Sequence, residues 1–123
     1  MIETKITYSS KPLSAKERIR IKDTINDVRL DDLTAEQGSV TIPIDYYAVL
    51  AIHNDASESV DYTRVVVVAL DGTHYVTGSP SFLQALKDIV DEMENEPEDY
   101  SIIVSRHESK NYKGKSFLTC TIG

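Results

Sequence analysis

The apolar positions of this chain alternate for most of its length and change period once. In residues 39–53, SVTIPIDYYAVLAIH, Ile42, Ile44, Tyr46, Ala48, Leu50 and Ile52 fall on one side. Thr41, Asp45, Tyr47, Val49, Ala51 and His53 fall on the other. A period of two is that of a β-strand. The segment is long for a strand, so a bend or bulge is expected near Pro43, which has no N–H for a ladder. Residues 62–70, YTRVVVVAL, read as a strand whose valine run is buried on both faces. Asp71-Gly72 predicts a hairpin turn into the return strand THYVTG. YSIIVSR (100–106) and SFLTCTI (116–122) are two further strands. At the N-terminus, Ile2, Thr4, Ile6 and Tyr8 alternate with Glu3, Lys5 and Thr7, and Pro12 ends the run. Residues 1–12 therefore read as an N-terminal arm or edge strand.

The period changes after Gly78. Phe82, Leu83, Leu86, Ile89, Val90 and Met93 recur every three or four residues, the apolar stripe of an amphipathic helix over about 81–94. Ser79, Pro80 and Ser81 supply N-cap and first-turn candidates, and Gln84 completes a capping box with Ser81. Residues 14–22 send two signals. Ser14 with Glu17 is a capping box, whereas Ile19 and Ile21 alternate with Arg18, Arg20 and Lys22. Helix and strand both stay open there, with the alternation leaning towards a short turn followed by a strand. Residues 23–38 read as polar loop around Val28 and Leu30. The expected fold is mainly β: a five-stranded OB-like barrel, with the helix between its third and fourth strands. At 123 residues, a single OB-like domain over 1–123 is expected.

Composition adds little until charge is mapped. A chain 41% apolar and 27% charged is an ordinary globular one. It has no apolar run near the ~20 residues that span a bilayer, and the N-terminus lacks a signal-peptide core. The expected location is the cytoplasm of the cell that makes it, with no membrane partner. The net charge of −7 is unevenly spread. Residues 1–29 carry seven Lys/Arg against four acids, residues 30–104 two against fifteen, and residues 105–123 four against one. The ends are basic and the middle acidic, so folding could gather a positive face despite the total.

Several chemistries are disfavoured. Gly114-Lys115-Ser116 resembles the tail of a phosphate-binding loop, but position 109 is Ser where that loop needs glycine, and a strand follows where it needs a helix. His53, His74 and His107 lie at no ligand spacing, and Cys120 is a single cysteine. Cys120 alternates with Leu118 and Ile122 as a small buried hydrophobe. The acids from Asp88 to Asp99 read as a solvated helix face rather than a catalytic pair. No nucleophile motif is present. The expectation is a binding protein without cofactor, metal or catalysis.

The C-terminal hairpin carries the positive signal. Lys110, Lys113 and Lys115 surround Tyr112, and Phe117 shares with Thr119 the strand face opposite Leu118. One reading is a solvated turn whose lysines guard edge strands. The other is a groove for single-stranded nucleic acid, where lysines neutralise phosphates and aromatic faces stack on bases. Tyr47, Arg64, Tyr75 and Arg106, on other strands, join this candidate surface.

Four segments carry a resemblance: KDTINDVRLDD (22–32), YYAVLAIHN (46–54), DGTHYVTGSPSF (71–82) and, most specifically, SKNYKGKSFLTCTI (109–122). In these the chain resembles the small single-stranded DNA-binding proteins of phages and prophages of Gram-positive hosts. The resemblance implies an OB-type fold that coats displaced single strands during phage replication, without sequence preference. It implies Lys110, Tyr112, Lys113, Lys115 and Phe117 at the binding surface, with phage replication proteins as further partners. The chain departs from the bacterial housekeeping version in having no tryptophan and in ending in TCTIG rather than an acidic tail. Monomer and dimer both stay open. The competing expectation is an acidic interaction module that mimics DNA and occupies a host nuclease or replication factor.

Overall fold

The computed structural model describes residues 2–56, 60–96, 98–108 and 116–123. Among them the chain forms β1 (Ile2–Ser9), α1 (Ala15–Lys22), β2 (Val28–Arg29), α2 (Leu30–Gln37) and β3 (Ser39–Asn54). There follow β4 (Asp61–Ala69), β5 (His74–Thr77), α3 (Pro80–Met93), β6 (Tyr100–Glu108) and β7 (Ser116–Ile122). The fold is mainly β, as the alternation requires, and the amphipathic stripe forms α3 within a residue of its expected ends. Where one helix and five strands were expected, the described residues hold three helices and seven strands. Contacts divide the chain into two compact units, Met1–Val28 with Asp45–Gly78, and Arg29–Ile44 with Ser79–Gly123. Strand β3 runs from one into the other.

In the first unit, β1 pairs antiparallel with β3 from Ile2↔Asn54 to Ser9↔Ala48, and its register shifts between Ile6 and Tyr8. On the other side of β3 lies β4, which pairs antiparallel with β5 from Val65↔Thr77 to Val68↔His74. The β4–β5 turn uses the expected residues. Gly72 takes a φ of 90°, and the Thr73 N–H donates to the Asp71 carboxylate at 2.9 Å. One sheet face is closed by a cluster of Ile21, Tyr46, Ala48, Leu50, Ile52, Val66, Val68 and Val76, with Ile6, Leu13 and Tyr62 against it. The valine run is buried on both faces.

The alternation at 14–22 was the wrong signal. Ser14 Oγ accepts from the Glu17 N–H at 3.2 Å, and the Ser14 N–H donates to Glu17 Oε1 at 3.0 Å. Such a cap stabilises a helix start by about 1 kcal/mol. Two positions on a helix are about 200° apart, so Ile21 enters the core while Ile19 stays 72% exposed. The charged residues around them alternated by coincidence.

In the second unit, β6 pairs antiparallel with β3 from Ser39↔Ser105 to Ile44↔Tyr100, and with β7 from Ile102↔Ile122 to Glu108↔Ser116. The β3–β6 register runs through Pro43↔Ser101 without a shift, so the bulge expected there is absent from this pairing. Pro43 is exposed. Leu30 and Thr34, one helical turn apart, are buried, which makes residues 30–37 a helix where loop was expected. Asp31 and Asp32 sit in its first turn, favoured by the helix dipole. Gly38 ends it at a φ of 80°, with its N–H on the Thr34 carbonyl at 2.7 Å. Ser79 caps α3, Pro80 opens it, and Phe82 and Leu86 are fully buried. Ser81 does not cap: its hydroxyl donates to the Leu118 carbonyl of β7 at 2.7 Å.

Candidate nucleic-acid interface

Strand alternation gives the second unit two faces. Ile42, Ile44, Ile102, Val104, Leu118 and Cys120 are buried on one. Burial pushes the Cys120 thiol up to about 12, so it stays protonated and acts as a hydrophobe. The other face carries Ser39, Thr41 and Pro43 from β3, Ser101, Ile103, Ser105 and His107 from β6, and Phe117, Thr119 and Thr121 from β7. Ser105 lies between Ser39 and Thr119 in the ladder, Ile103 lies between Thr41 and Thr121, and His107 opposes Phe117. None of these ten side chains is a carboxylate. That is notable in a chain with twenty acids.

Phe117 is the aromatic centre of this face. It is 41% exposed, and its ring stacks on His107 with centroids 5.8 Å apart and planes 29° from parallel. The Ser105 hydroxyl lies 3.0 Å from His107 Nε2, which holds the imidazole plane. A strand-borne aromatic already stacked on one side keeps its free face open without losing further rotamer entropy. Such a platform accepts any base, because every base has a π-face.

The other expected residues divide. Lys110, Tyr112, Lys113 and Lys115 lie outside the described residues. Lys115 stands two positions before Phe117 in the chain. Arg106 alternates to the side opposite Phe117, and its guanidinium donates to the Asp31 carbonyl of α2 at 3.0 Å. In the first unit, Tyr47 is only 1% exposed, with the 47%-exposed ring of Tyr8 5.6 Å from it. In this packing Tyr47 cannot offer a face to a base. Tyr8 is the exposed member of the pair. Tyr75 is half-buried, and burial raises its phenol above the usual range. Arg64 is half-buried, its guanidinium 5.5 Å over the Tyr62 ring. By alternation Tyr75 shares a face with Val67, and Arg64 shares the opposite one with Val66.

Sequence reasoning missed His107 and Tyr8. His107 was weighed only as a metal ligand, since neither strand by itself records the register that sets it against Phe117. Tyr8 was visible as an alternating residue, but nothing in the pattern showed that it would cover Tyr47.

The family model of the phage single-stranded DNA-binding proteins of the phi29 type matches residues 5–123. The chain belongs to that family. A comparison with curated proteins returned no match, nor did one with solved structures. Membership of this phage family makes the chain a single-stranded DNA-binding protein of phage replication, with single-stranded DNA as its partner. No helix among the described residues is long and apolar enough to cross a membrane.

His53 of this family member titrates above its ordinary range. His53 lies between two carboxylates, with Nδ1 2.7 Å from Asp61 and Nε2 2.7 Å from Asp55. The hydrogen bond to Asp61, then that to Asp55, raises its pKa above 6.5. The imidazolium ties β3 to the start of β4. Because the folded pKa is the higher one, its contribution is complete below pH 6.5 and fades as pH rises through the folded value. The stability difference between wild type and His53→Ala, followed by urea unfolding, is therefore expected to shrink from pH 6 to alkaline pH. A difference independent of pH would show that the ring acts by packing alone.

Proposed function

We propose that this protein coats single-stranded DNA without sequence preference, in the host cytoplasm, by binding alone and without catalysis. The binding surface is the sheet face formed by residues 39–43 of β3 with β6 and β7, where no side chain is a carboxylate, centred on Phe117, with Lys110, Tyr112, Lys113 and Lys115 as further contacts. The single observation that carries this reading is the exposed Phe117–His107 stack on a face without acids. Lys110, Lys113 and Lys115 neutralise phosphates while the ring stacks, and hydroxyls of Ser39, Thr41, Ser105 and Thr119 can reach sugar or phosphate oxygens. Coating of this kind protects displaced strands for phage replication proteins. The acids of residues 30–104 repel DNA elsewhere on the molecule and so orient its approach. An OB-like barrel is the architecture this reading assigns to the mainly β fold.

The test is fluorescence anisotropy of labelled oligo-dT titrated with protein at several salt concentrations, with a duplex of equal length as control. Binding is expected to favour the single strand and to weaken steeply with salt. For about four to six neutralised phosphates the log–log slope is about −3 to −4. A slope near zero, or equal affinity for duplex, would refute the proposed surface. Charge reversal at Lys113 and Lys115 should abolish binding, whereas reversal at Asp88 and Glu92 should not.

A further inference from the structure

Helix α1 and the turn that follows it leave two large apolar side chains in solvent. Ile19 is 72% and Ile25 is 88% exposed, although Ile21 between them is fully buried. On α1, Lys16, Ile19 and Lys22 follow one another at spacings of three and form one exposed stripe. The neighbouring cations are engaged otherwise. Arg18 donates to the Leu13 carbonyl at 2.7 Å, and Arg20 lies 3.1 Å from the buried Asp27 carboxylate. The available surface is thus an apolar pair flanked by two lysines.

The second unit carries the complement. Ile89 and Met93 of α3 and Ile122 of β7 line an apolar groove rimmed by Asp88 and Glu92. Ile122 is 51% exposed. Residues 88–99 hold seven acids and no Lys or Arg. That charge excludes DNA from the groove and selects an apolar partner with a basic flank. This chain supplies such a partner itself, at its own concentration.

We propose that copies of this protein join head to tail, the Lys16–Ile25 segment of one seated in the α3–β7 groove of the next. Ile19 and Ile25 cover Ile89, Met93 and Ile122, while Lys16 and Lys22 meet Asp88 and Glu92. Like surfaces cannot pair, because groove against groove sets acid on acid and α1 against α1 sets cation on cation. The contact is therefore heterologous, α1 of one copy against the groove of another. Its small area makes it weak between free molecules. On a shared strand of DNA, the high effective concentration of neighbours makes it strong. The contact does not depend on which surface binds DNA.

Sedimentation velocity of the free protein tests it without nucleic acid. Wild type is expected to self-associate as concentration rises, at least about tenfold more weakly at 0.5 M than at 50 mM salt, because added salt shortens charge attraction. The double variant Ile19→Glu, Ile25→Glu keeps the groove, and Asp88→Lys, Glu92→Lys keeps α1. All four positions are at the surface, so both variants should fold, as circular dichroism would check. Each alone is expected to sediment as a monomer, and a mixture of the two as one-to-one dimers and nothing larger. Wild type that stays monomeric at the highest soluble concentration in low salt would overturn the proposal. So would variants that associate like wild type, or a mixture that stays monomeric.

Discussion

Phe117→Ala lowers affinity for single-stranded oligo-dT by roughly 5- to 150-fold, the loss of one base stack at about 1–3 kcal/mol. The side chain is exposed on a strand whose backbone is held by its ladder to β6, so truncation leaves the fold in place. Its unfolding midpoint should stay close to that of wild type, since exposed substitutions generally shift stability by no more than about 0.5 kcal/mol. Phe117→Trp, which keeps a π-face, should bind as well as wild type or better. The salt slope should not change for either variant, because neither alters a phosphate contact. His107→Ala, which removes the ring beneath Phe117, should weaken binding less than Phe117→Ala. Affinity for oligo-dT within twofold of wild type in Phe117→Ala would remove the stacking platform from the account.

Tyr47→Ala has the opposite profile. Tyr47 is 1% exposed and is among the largest fully buried side chains of the chain. Its truncation should cost about 3–5 kcal/mol of stability. That is a large share of the about 5–15 kcal/mol that a domain holds in reserve. Binding should fail only where the variant is unfolded, and return under conditions that refold it. Tyr8→Ala removes an exposed ring and should cost far less stability. If Tyr47→Ala kept its unfolding midpoint yet lost DNA, Tyr47 would be a contact residue and its burial would open on binding. The two variants together separate an aromatic that stacks on a ligand from one that stacks inside the protein.

The contrast between Phe117 and Tyr47 shows how far a pattern reaches. Both are aromatics on alternating strands, each on the face opposite a run of apolar residues. Alternation assigns a side to each, but it does not say whether anything covers that side. Tyr46, Tyr47 and Ala48 are buried in succession, because β3 is covered on both faces there. Phe117 stays 41% exposed because no described residue covers its face of β7. Arg106 shows the same limit in another form. It alternates with His107, so the two diverge, and its guanidinium meets a carbonyl of α2, a helix that had been read as loop.

The chain itself determined its strands and its main helix, because burial of one sheet face or one helical stripe imposes periods of two and 3.6 on the sequence. It determined the turn at Asp71-Gly72, because a positive φ needs glycine. It also concentrated positive charge at its two ends and carried the segments by which the phage family is recognised. Tertiary structure decided what short, mixed signals left open. A capping box outweighed alternation at 14–22, because Ile21 found a core and Ile19 did not need one. Packing of Leu30 and Thr34 made a helix of α2, whose short sequence carries too few apolar residues to announce it. The strand register that brings His107 against Phe117, and the cover that hides Tyr47, depend on partners distant in sequence, and no local pattern records them.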